Sequence, residues 1–198
     1  MSKSPDTPRP LTDAEIAAAN VGEPVRIDGK IKLQESDPGW PALYAREETR
    51  IRASLGDKVL LLEHVGSTSV PGLAAKPIID LALAVADSAD EMSYVPPLEA
   101  QGYFLKVREP DWFEHRLLKG PDTNINLHVF SVGAAEIGRM IAFRDHLITN
   151  TEDLRLYETT KRELASREWK YVQNYADAKS AIVLEIMERA EKAKTSGS

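Results

Sequence analysis

The sequence predicts an α+β protein, with a small mixed sheet in its first two thirds and a helical pack in its last third. Three observations lead there. Short apolar, β-branched runs separated by turn signals recur between Val59 and Phe130. A single strong helical pattern precedes them, from about Asp37 to Leu55. From about Ala134 onward the apolar residues fall at helical spacing.

The elements follow in order. Thr12 and Glu15 have capping-box spacing, so a short helix is expected from about Asp13 to Asn20. Val25 to Leu33 alternates loosely and reads as one strand or as a hairpin around Asp28-Gly29. Asp37 is placed to cap the next helix and Pro38 suits its first turn. Trp40, Leu43, Tyr44, Glu47, Ile51 and Leu55 then keep helical spacing up to the stop at Gly56. Val59–Val65 and Pro77–Val85 read as neighbouring buried strands joined by a loop holding Gly66, Pro71 and Gly72. Glu91 to Gln101 is helical at its end, with Pro96-Pro97 marking a start or a break and Gly102 the stop. Tyr103–Val107, Phe113–Leu118 and Ile125–Phe130 are three more strands, the last two joined by the turn Gly120-Pro121-Asp122. Helices are expected near 134–149, 152–168 and 178–193, with breaks at Asn150-Thr151 and near Asn174.

The chain has 198 residues, enough for one core, and its 42% apolar and 28% charged content is that of a soluble globular protein. We expect one domain over residues 11–193, with C-terminal helices from about 134, and flexible tails at 1–10 and 194–198. The net charge of −6 argues against a broad basic face for nucleic acid, though one pocket on an acidic protein is free to be locally positive. With no cysteine, disulfides, thiolate metal sites and cysteine nucleophiles are excluded. No apolar stretch reaches the roughly 18 residues that span a bilayer, and the polar, proline-rich N-terminus lacks a signal-peptide centre. These features lead us to expect a cytoplasmic protein with no membrane partner.

The segment from His64 to Leu81 carries the chemistry. A buried strand ends in Gly66-Ser67-Thr68, where glycine permits a sharp turn and close approach to a ligand. The hydroxyls and loop amides there are suited to phosphate oxygens, and Lys76 adds a cation in the same loop. Asp80 lies within the next apolar strand, where a carboxylate is costly unless it is paired or holds a metal. An ordinary turn beside a paired core carboxylate has the same spacing. His64 either touches a phosphate or caps the strand end. Tyr157 and Lys161 sit four apart on one helix face, either as solvated decoration or with Lys161 as an anion ligand. The charged stretch Arg108 to Arg116 reads as a solvated hairpin, and the three tryptophans read as packing residues.

The stretch His-Val-Gly-Ser-Thr-Ser-Val-Pro-Gly-Leu-Ala-Ala-Lys-Pro-Ile-Ile-Asp at 64–80 resembles the signature of the GrpB family. The resemblance continues in Asp37-Pro38-Gly39-Trp40-Pro41, Asn126-Leu127-His128-Val129, Ala142 to Leu147, Tyr157, Lys161 and the Lys179 region, covering about residues 30–190. It implies a fold like the DNA polymerase β type of nucleotidyltransferase. In that superfamily a Gly-Ser turn grips a triphosphate, an Asp-x-Asp pair on the next strand holds two Mg²⁺ ions, and a later strand adds a third carboxylate. Gly66-Ser67 and Asp80 match the first elements, but Ala82 stands at the second acidic position. His128 is the natural substitute, because it shares one face of its strand with Asn126 and Phe130.

The resemblance thus implies metal-assisted transfer of a nucleotidyl group from an NTP to a small acceptor. Asp80 and His128 would hold Mg²⁺ or Mn²⁺. Arg144 would bind the acceptor or a phosphate, and His64, Gly66, Ser67, Thr68, Lys76 and Lys161 would bind phosphate or substrate. A non-catalytic module for a nucleotide or a coenzyme A-type phosphate, and a ligase or condensing enzyme using the same pocket, are the alternatives.

Overall fold

The computed structural model describes residues 9–196, with side chains to residue 192. The tail expected at 1–10 lies outside the described residues up to position 8, as do positions 197 and 198 of the other tail. The architecture is α+β. Five strands form a mixed sheet: β2 (Leu61–Val65), β3 (Ile79–Val85), β4 (Phe104–Glu109), β5 (His115–Lys119) and β6 (Ile125–Ser131), ordered β2-β3-β6-β5-β4. All pairings are antiparallel except that of β3 with β6. The central strand β3 is a near-continuous apolar run, interrupted at Asp80, because both of its faces are covered.

On one face, α2 (Trp40–Leu55) and the short α3 (Val95–Glu99) pack Trp40, Ile51 and Leu98 against Leu81, Leu83 and Val129. A buried carboxylate, Glu47, accepts hydrogen bonds from Tyr103 and Thr123 and so ties α2 to the β5–β6 turn. On the other face, α4 (Ala135–Thr149) lays Ile137 and Met140 over Ala82, Ala84 and Phe130. Then α5 (Thr151–Ala165), α6 (Val172–Ala178) and α7 (Ser180–Ser196) complete the helical pack, joined to the 66–76 loop through Val70, Leu73, Tyr157 and Ile186. Preceding the sheet are α1 (Asp13–Ala19) and β1 (Arg26–Lys30). No helix among the described residues is long and apolar enough to cross a membrane.

Some elements differ from expectation. The helix expected to reach residue 168 stops at Ala165, and Glu168–Tyr171 forms a strand, β7, pairing antiparallel with β1. That partner lies about 140 residues upstream, so no local pattern marks it. Asn174 is not a break but sits inside α6, its side chain accepting from the Tyr171 N–H at 3.0 Å. The last helix runs to Ser196, past the expected end at 193. The β5 strand starts two residues late, because Phe113 and Glu114 adopt positive φ of 54° and 50° in the preceding turn.

Candidate functional site

Strand β2 ends at Val65, and the next residue, Gly66, has a φ of 72° that belongs to the left-handed region. A Cβ built there would overlap Asp80 Oδ2, so the glycine lets the chain turn directly over the carboxylate. A 3₁₀ turn over Ser67–Ser69 follows, closed by the Ser69 hydroxyl donating to the Gly66 carbonyl at 2.6 Å.

Register then assembles the rest. Asp80 on β3 is opposite Asn126 on β6, and Asn126 is opposite Lys119 on β5. Lys119 Nζ donates to Asn126 Oδ1 at 2.7 Å, and Asn126 Nδ2 donates to Asp80 Oδ1 at 2.7 Å. His128 Nε2 lies 3.7 Å from the same Oδ1. Behind it, His128 Nδ1 is 3.0 Å from His115 Nε2, and His115 Nδ1 is 2.8 Å from Glu109 Oε2. The chain Glu109–His115–His128–Asp80 therefore takes one residue from each of β4, β5, β6 and β3.

This face of the sheet opens into a cavity of about 640 Å³ whose wall includes Gly66, Ser67, Lys76, Asp80, Lys119 and His128. Helices supply the opposite wall, with Tyr157, Lys161, Tyr175 and Lys179. Lys161 is buried, donates to the Ala74 carbonyl and places its ammonium 4.9 Å from the Tyr157 ring centroid. Lys179 and Lys76 stand 4.9 and 5.5 Å from the Tyr175 ring centroid. Tyr175 itself is 1% exposed, and its hydroxyl has no hydrogen-bond partner among the described residues.

The other charges on the wall are matched. Glu136 pairs with Arg139 at 2.6 Å, and Lys106 donates to the Glu23 carbonyl at 2.7 Å. Four lysines thus converge on a cavity where Asp80 is the carboxylate not held by an arginine. Their electrostatics agree. Burial, reinforced by Lys179, brings Lys76 down to about 8. Burial, again with Lys179, brings Lys161 down to about 7. Lys119 and Lys179 are also lowered, by burial first. For Asp80, burial alone would raise the carboxyl, but the His128 and Asn126 donors and the Lys76 charge hold it below its usual range. Burial pushes the Tyr157 phenol up to about 12, against an opposing hydrogen bond with Ser67.

Two of the expected phosphate ligands lie elsewhere. His64 is opposite Leu81 in register, so it faces away from Asp80 and stacks on Tyr44 with ring centroids 4.9 Å apart. Its Nε2 is 3.0 Å from Thr68 Oγ1, and that hydroxyl donates to the Ile78 carbonyl at 3.1 Å. Neither side chain forms part of the cavity wall. Arg144 does reach the wall, yet Nη1 donates to Glu63 and to the His64 carbonyl, both at 2.8 Å, and Nε donates to Asp145. It braces α4 against β2. His115 and Arg116, read as parts of a solvated hairpin, are 4% and 6% exposed.

Lys119, Asn126 and Tyr175 were not singled out as site residues from sequence. Only the register of β5 against β6 turns Lys119 toward Asp80. A resident pair of divalent ions does not fit these side chains. Ala82, at the second acidic position, is buried beneath α4, and no group of three or more His, Asp or Glu residues suited to a metal occurs among the described residues. Asn126 and His128 contact Asp80 instead, and lysines line the rest of the same cavity.

Strand β2, which runs into the Gly66-Ser67 bend, lies beside β3, which carries Asp80, and β6, which carries His128, lies on the other side of β3. The model of the GrpB protein family matches residues 30–189. A UPF0157 protein of Halalkalibacterium halodurans is 61% identical over 181 residues, covering 91% of this chain and 93% of that protein. Another, from Streptomyces coelicolor, is 43% identical, covering 98% of this chain and all of the relative. Among solved structures, the conserved protein GrpB from Enterococcus faecalis aligns with a TM-score of 0.69 at 29% identity, over 82% of this chain and 99% of that one. The chain belongs to the GrpB family.

Proposed function

We propose that the cavity binds the phosphates of a nucleoside triphosphate or a related phosphorylated small molecule. One observation carries this reading: Lys76, Lys119, Lys161 and Lys179 line one cavity beside the Gly66-Ser67 bend, and the carboxylate on its wall that no arginine holds is Asp80. Crowding buried ammonium groups is unfavourable without an anion, and their lowered pKa values express that cost. The unpartnered Tyr175 hydroxyl supplies one further donor.

The chemistry we assign to this pocket is transfer of a nucleotidyl group to a small acceptor. The acceptor oxygen attacks the α-phosphorus, the bond to the bridging oxygen breaks, and pyrophosphate leaves. The Asp80–His128 pair takes the acceptor proton, and the lysines stabilise the charge that builds on the phosphoryl oxygens. No step here is routed through a protein-held metal.

A second reading is favoured by Ala82. A site lacking that carboxylate is suited to recognising a phosphate ligand without turning it over. Calorimetric titration with inorganic tripolyphosphate and each NTP, in EDTA and then in Mg²⁺ or Mn²⁺, tests binding. We expect tripolyphosphate to bind in EDTA, and Lys76→Met and Lys179→Met each to weaken it about tenfold. Failure of every probe to bind in EDTA would refute the lysine-based reading. Pyrophosphate release with candidate acceptors, lost in Asp80→Asn, separates transfer from simple recognition.

A further inference from the structure

The cavity is not uniform, and its second half points to the rest of the ligand. Across the sheet the wall changes character by register. Asp80 lies on β3, Asn126 and His128 on β6, Lys119 and Leu117 on β5, and Phe104 and Val107 on the edge strand β4. The floor thus runs from charged to apolar. At the apolar end the wall is completed from outside the sheet by Ile16, Pro24 and Val25.

These three belong to one segment, residues 11–25, which spans from α6 to the sheet edge. Leu11 N–H donates to Asp177 at 2.8 Å, and Val21 N–H donates to the Lys106 carbonyl at 2.8 Å. Asn20 forms an isolated antiparallel bridge with Val107, and the Lys106 ammonium donates to the Glu23 carbonyl at 2.7 Å. The segment is held on both sides of the opening and leaves Val25 68% and Phe104 51% exposed at its mouth. Both side chains continue the apolar lining of a concave site, the setting in which an apolar part of a ligand is held. The family match begins at residue 30, so the lysine floor belongs to the shared region and this strap precedes it.

We propose that residues 11–25, with Phe104 and Val107, form an apolar half-site for the uncharged organic part of an organic phosphate, and that this strap sets which one is accepted. The proposal rests on the phosphate reading above. It commits to a ligand with two ends: phosphate on the lysines, and a flat or aliphatic apolar body between the strap and β4. Continuity of the two surfaces within one cavity supports a single occupant.

The test compares probes that share the anion and differ in the body. Inorganic tripolyphosphate, ATP, UTP and phenyl phosphate are titrated into the full chain and into Val25→Ser and Phe104→Ser. Both positions are exposed, so both variants should fold, as checked by circular dichroism. In the native protein we expect at least one organic triphosphate to bind more tightly than tripolyphosphate. Each variant should weaken that ligand roughly fivefold while leaving tripolyphosphate within about twofold. Equal affinity of all triphosphates in the native protein would overturn the half-site while leaving the lysine reading intact. So would parallel loss of organic and inorganic probes in the variants. No binding by any probe would overturn both.

Discussion

Replacing Tyr175 by phenylalanine removes one buried hydroxyl and little else, so it separates a structural role from a binding role by sign. A buried, unpartnered hydroxyl is a cost to the unliganded fold. Tyr175→Phe is therefore expected to keep or raise unliganded stability, by up to about 1 kcal/mol in urea, while lowering tripolyphosphate affinity several-fold. Loss of stability with unchanged affinity would contradict the ligand role. Gly66 makes the opposite case. Alanine there would meet the Asp80 carboxylate in a left-handed backbone, so Gly66→Ala should cost about 2–4 kcal/mol in a denaturant melt. A cost under about 0.5 kcal/mol would show that the bend is not tied to Asp80.

Helix α4 decides where the site stops. It covers Ala82 and Ala84 with Ile137 and Met140 and leaves Asp80, two residues earlier on the same face, at the open end. Arg144 holds that helix to β2 through Glu63 and the His64 carbonyl. Arg144→Ala should destabilise the fold by about 1–2 kcal/mol and change tripolyphosphate affinity little, whereas a tenfold affinity loss would restore the phosphate role that the family resemblance suggests. The buried His115 likewise links strands, passing from Glu109 on β4 to His128 on β6. Against its stacking on Phe130, at 4.8 Å between centroids, His115→Phe keeps an aromatic ring but breaks that link. It should cost about 1–3 kcal/mol in a denaturant melt.

At the scale of the whole molecule, pH acts on stability and on binding with opposite sign. Lys76 and Lys161 titrate in the folded chain near 8 and 7, against an ordinary value of 10.5. Between about 7 and 10.5 the unfolded chain therefore binds more protons than the folded one. These two lysines then contribute stability that rises with pH through that window. Anion binding requires the charged form, so tripolyphosphate affinity should fall from pH 7 to pH 9. Binding at pH 8 should take up protons, read by calorimetry in buffers of different ionisation enthalpy. Affinity constant or rising over that range would argue against lysine-held phosphate.

By itself the sequence determined the five central strands, α2 and the helical last third. Each is specified by local apolar period and turn residues, information carried within a few neighbouring positions. It also brought forward Gly66, Ser67, Lys76 and Asp80, because a glycine bend between two apolar strands and an acid inside one of them are anomalies visible along the chain, while His128 entered only through the family resemblance. What it left open depends on partners far away in the chain. Alternation placed His64 on the face opposite Glu63 and Val65, yet which face holds the cavity is fixed by where α4 and α5 pack. Tertiary structure alone decided that Lys119 on the sheet and Lys161, Tyr175 and Lys179 on the helices line one cavity, that β7 pairs with β1, and that the N-terminal segment closes the apolar end. A lysine on a strand or helix carries no local sign of the anion pocket it faces, because its direction is set by register and packing rather than by its neighbours in sequence.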